Sequence, residues 1–82
     1  MTKSEKINLS FPYDWSNPKL SDEALIYNVL ENTVYSDLVR IMIFYGTNKV
    51  MTVFNNHQWD ELSYKILLRM THNAIEGLKE CD

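Results

Sequence analysis

The side chains best suited to proton transfer, nucleophilic attack or metal ligation are His57, His72, Cys81 and two adjacent acidic pairs, Asp22-Glu23 and Asp60-Glu61. The two histidines lie far apart, and neither heads a motif with ligand spacing, so no metal is expected. General acid–base work needs two carboxylates facing one cleft. Neighbours on a helix point apart, and both pairs stand where helices should start, positions at which acids favour the helix dipole. Cys81 lies beside the C-terminal residue with no base nearby, a poor setting for a nucleophile. Gly46 and Gly77 are the only glycines, too few for a phosphate-cradling loop, so no cofactor is expected either. These residues predict a protein that is not an enzyme.

The elements that would hold such groups centre on residues 38–46. All of 38–45 except Arg40 is apolar, and Leu38, Ile41, Met42 and Tyr45 fall at i, i+3, i+4, i+7, the spacing of one helix face. Val39 and Ile43 widen that face, which predicts a central helix covered on most sides. Ser36 is its expected cap, Asp37 suits its first turn, and Gly46 ends it. Before it, Ser21 or Asp22 caps a helix with Leu25, Ile26, Val29 and Leu30 inward, ending at Asn32-Thr33. After Gly46, residues 48–54 read as a helix with Val50, Met51 and Phe54 inward, with a strand as the competing reading for this β-branched run. A last helix runs from between His57 and Asp60 to Glu76, stopped by Gly77, with Leu62, Ile66, Met70 and Ala74, joined by Trp59, Leu67 and Leu78, as its buried stripe.

Residues 1–6 read as a polar tail. From Ile7 to Trp15 apolar residues alternate with polar ones and Pro12, the period of an extended segment. Pro12 confines it to an edge strand or an arm, and no clear partner strand exists. The chain therefore reads as one all-α domain over 1–82, a bundle of about four helices (21–82) with an extended N-terminal arm (1–20). The arm either closes the helical core or docks on another protein. Its aromatic anchors make Phe11, Tyr13, Trp15 and Asn17 the candidate partner-binding residues.

Composition bounds the rest. The hydrophobic fraction is 45% and the net charge −3, with the eight basic residues scattered. That argues against nucleic acid as the main ligand, since phosphate binding needs clustered positive charge. A helix-turn-helix reading of the segment around Gly46 leaves Asn48, Lys49 and Thr52 to read DNA, a weak set. The longest apolar run is too short for a membrane, and a lone cysteine suits a reducing cytoplasm. A self-associating domain or homodimer is the third reading, given the small core.

The run Phe11-Pro12-Tyr13-Asp14-Trp15-Ser16-Asn17-Pro18, the helix Leu25-Ile26 with Val29-Leu30-Glu31, and the helix end Phe44-Tyr45-Gly46 followed by Val50 resemble a known family. Its members are small bacterial domains frequently encoded beside AbiEii-type nucleotidyltransferase toxins. The resemblance spans roughly residues 11–70, and the C-terminal helix here is longer than in that pattern. It carries over no catalytic residues. It implies a non-catalytic binding module acting as antitoxin or accessory partner of a nucleotidyltransferase-like toxin.

Overall fold

The computed structural model of the chain describes residues 3–14 and 19–80. It is an all-α bundle of five helices: α1 (Lys3–Ile7), α2 (Asp22–Asn32), α3 (Tyr35–Tyr45), α4 (Thr47–Asn56) and α5 (Glu61–Glu80), with no strand among the described residues. The core forms where α2, α3 and α4 meet and α5 packs across α3.

In α2 the Ser21 hydroxyl accepts from the Ala24 N–H, and Leu25, Ile26, Val29 and Leu30 are buried, as their spacing requires. Thr33 closes the helix in the left-handed region, at φ 53°. Residues 48–54 are helical, and the helix is longer than expected, reaching from Thr47 to Asn56. Val50, Val53 and Phe54 are its buried residues. Gly46 alone joins α3 to α4, at φ 94° and ψ 145°. That region is open essentially to glycine only.

Five expectations need correction. Residues 3–7 form a helix and not a polar tail, with Ser4 and Ile7 buried. Asn8 (φ 67°) ends it: the Asn8 N–H donates to the Glu5 carbonyl and the Leu9 N–H to the Ser4 carbonyl, the bond pair of a Schellman cap. Residues 8–14 then run in turns, not as an extended arm, and the Tyr13 N–H closes a three-residue turn on the Phe11 carbonyl around Pro12. Val34, not Ser36, precedes α3, and no side chain caps it.

The fourth correction concerns which faces are covered. Ile43 is 67% exposed and Phe44 is also exposed, so α3 is covered on fewer sides than its composition suggests. On α5, Leu62 is 68% exposed and Ile66 is exposed, while Leu67, Thr71 and Ala74 are buried. At 3.6 residues per turn, a row stepping by four residues drifts about 40° per step. Leu62 therefore lies about 120° around the helix from Ala74. Thr71 takes the interior position by donating its hydroxyl to the Leu68 carbonyl at 3.0 Å. Gly77 does not stop the helix, which continues to Glu80.

Candidate partner-binding site

The N-terminal segment runs antiparallel to α3, along the row Asp37, Arg40, Phe44. At one end the Lys6 ammonium sits 5.8 Å from the centre of the Phe44 ring. At the other end, Asp37 is fully buried and gathers three donors. The Ser10 N–H reaches it at 2.9 Å, the Ser10 hydroxyl at 2.6 Å and the Tyr13 hydroxyl at 2.6 Å. Burial alone would raise the Asp37 pKa. The Ser10 and Tyr13 donors, with Arg40 beside them, hold it below the ordinary carboxylate value. Tyr13 is pushed the other way, above the usual phenol range, by burial first and then by the carboxylate it serves.

Lys3 fastens the start of the segment. Its N–H donates to Asp14 at 2.9 Å, and its ammonium donates to the Leu20 carbonyl at 2.6 Å and pairs with Asp22 at 2.9 Å. Asp22 also accepts from the Tyr45 hydroxyl at 3.0 Å, and Lys3 is the main cause of its lowered pKa. Asp14 is buried. Burial works to raise its pKa, but backbone N–H groups, that of Lys3 among them, bring it below the ordinary value.

Of the four residues predicted to bind a partner, the structure places two. Tyr13 points inward to Asp37. Phe11 is 54% exposed, with its ring edge-on to Tyr13 at 5.3 Å between centroids. Trp15 and Asn17 lie outside the described residues. Along the outer flank of α3, Lys6, Ile7, Arg40, Ile43 and Phe44 line an open cleft of about 370 Å³. No family model, curated protein or solved structure matches the chain.

No group of three or more His, Cys, Asp or Glu able to hold a metal ion occurs among the described residues. The His57 ring stacks on Tyr27 at 4.4 Å, and its Nδ1 donates to the Val53 carbonyl at 2.8 Å, so it finishes α4 and closes the α2–α4 junction. Asp60 accepts from the Ser63 N–H at the start of α5, a capping contact. Sequence reasoning missed the role of Asp37. An acid in the first turn of a helix reads as a dipole partner, and its bonds to Ser10 and Tyr13 cross 27 and 24 positions of sequence. It also missed the exposed flank of α3, for which the signal was the excess of apolar residues beyond one helix face.

Proposed function

We propose that this chain is a non-catalytic protein-binding module, the antitoxin or accessory partner of a nucleotidyltransferase-type toxin. The observation that carries the binding role is Phe11: an aromatic ring half in solvent, on a turn that Asp37 fixes through Ser10 and Tyr13. An anchor already held in place loses little freedom on binding, which is the property of interface hot spots. Trp15 and Asn17 belong to the same proposed contact, and Ile43 and Phe44 extend it along α3. The partner class comes from the family resemblance alone. A net charge of −3 suits approach to the basic cleft of an enzyme that handles nucleotides.

A DNA-reading role gains nothing from α4. Its one cation, Lys49, lies 3.8 Å from both Asp22 and Glu23, which leaves Asn48, Thr52 and Asn55 on the outer side.

The test is co-expression with the product of the neighbouring gene, read by affinity co-purification, nucleotidyltransferase assay and growth. The expected result is a complex and restored growth, both lost with Phe11→Ala while helical content is kept. A chain that purifies alone and leaves toxicity unchanged overturns the antitoxin reading. A complex indifferent to Phe11→Ala and Phe44→Ala moves the contact elsewhere.

A further inference from the structure

Helix α5 buries one face and leaves the opposite one uncovered. Leu62, Ile66 and Leu68 are all exposed there. Lys65, Arg69 and His72 stand among them, and residues 62–75 contain no acid, although the whole chain is acidic. Lys65 pairs with Glu61 at 3.3 Å in a solvent-exposed i,i+4 contact, a kind that constrains little. Arg69 has no ion pair among the described residues. Lys65 and Arg69 form a ridge between two open clefts. One, of about 360 Å³, adds Leu62, Ile66 and Met70; the other, of about 600 Å³, adds Leu68 and His72.

We propose that the outer face of α5 is a docking site for an acidic amphipathic helix of a partner protein. Apolar anchors at i, i+4 and i+7 of that helix lie along Leu62, Ile66 and Met70, and its flanking carboxylates meet Lys65 and Arg69. Charge complementarity selects this occupant. A second copy centred on the same ridge would set Lys65 and Arg69 against their own images across the two-fold axis. An anionic lipid surface would repel a chain of net charge −3, with only two permanent cations on this face to offset that. The inference is independent of the toxin partnership, which engages the N-terminal segment and α3.

The probe is a synthetic helical peptide of about four turns, with leucines at i, i+4 and i+7 flanked by glutamates. It is titrated into the ¹⁵N-labelled full chain, beside a peptide with lysine for each glutamate. The acidic peptide is expected to shift amide resonances between residues 61 and 72, and the lysine peptide to bind at least about tenfold more weakly. Arg69→Glu should weaken acidic-peptide binding by about tenfold or more, with an otherwise unchanged spectrum, since Arg69 is exposed. Leu62→Ser is a second variant, at the most exposed large apolar residue. Four outcomes overturn the proposal: no shifts on α5, equal affinity for the two peptides, sedimentation showing a dimer through this face, or binding to phosphatidylserine vesicles in place of peptide.

Discussion

The Tyr13 hydroxyl donates to the Asp37 carboxylate at 2.6 Å, tying a residue near the N-terminus to the first turn of α3. Ser10 contributes two more bonds to the same carboxylate. A buried charge is tolerable when its acceptor sites are filled, and each donor here depends on that charge in turn. Residues 10–13 are therefore tied into the helical body.

Removing one donor should cost less than removing the acceptor. Tyr13→Phe is expected to lower unfolding stability by about 1.5–3 kcal/mol, the range for a hydrogen bond to a charged group. Asp37→Ala strands three donors and should cost on the order of 3 kcal/mol or more. Urea unfolding followed by circular dichroism measures both. Equal losses would mean that the two Ser10 bonds add nothing to the Tyr13 bond.

The pH dependence has two limbs. Asp14, Asp22 and Asp37 have folded-state pKa values below their unfolded ones. Their contribution is complete above about pH 4 and is lost as pH falls through the lower folded values. Tyr13 and Tyr45 have folded-state values above the unfolded one. Their contribution is complete below about pH 10 and is lost as pH rises toward the folded values. Urea midpoints across the pH range should form a plateau with both limbs. Tyr13→Phe should make the alkaline limb shallower; a curve parallel to the wild type above pH 10 would remove Tyr13 as its source.

The rotation of α5 can be tested with two leucines. Leu67→Ala, in the core, should cost about 2–5 kcal/mol. Leu62→Ala, on the exposed side, should stay within about 0.5 kcal/mol of wild type. A loss at Leu62 as large as that at Leu67 would restore the buried stripe expected from sequence, which held both.

The two glycines should respond with opposite signs. Gly46→Ala meets no atom within 4 Å, so its penalty is purely conformational, about 1–3 kcal/mol at φ 94°. Gly77 lies within α5 and is equally uncrowded, so Gly77→Ala should stabilise by about 0.5–1 kcal/mol. Thermal unfolding of the two variants reads this directly.

Periodicity made α2 to α4 legible. Leu25, Ile26, Val29 and Leu30 form an unambiguous stripe, and Gly46 marks the break after α3. For residues 48–54, the absence of a plausible partner strand favoured the helix that forms. The N-terminal alternation misled because Asn8 takes a left-handed conformation and the turn at Pro12 redirects the chain, neither of which alters a pattern of apolar residues. On α5 the row from Leu62 to Ala74 concealed angular drift, and polar Thr71 held the interior position. Half of the predicted contact set was placed, with Phe11 outward and Tyr13 inward. That distinction depends on Asp37, a tertiary bond that one-dimensional spacing does not encode.

Helices α2, α3 and α4 follow one another with links of only a residue or two, and they supply most of the core. Their mutual packing closes short loops, which favours rapid assembly. The Ser10 and Tyr13 bonds to Asp37 join residues 27 and 24 positions apart, and Asp37 belongs to a helix that must already exist to receive them. Loop-closure cost therefore favours closure of the N-terminal segment after the helices have packed, which would bring Phe11 to its fixed position last. A partner that grips Phe11 would read the completed fold, distinguishing finished molecules from those still assembling.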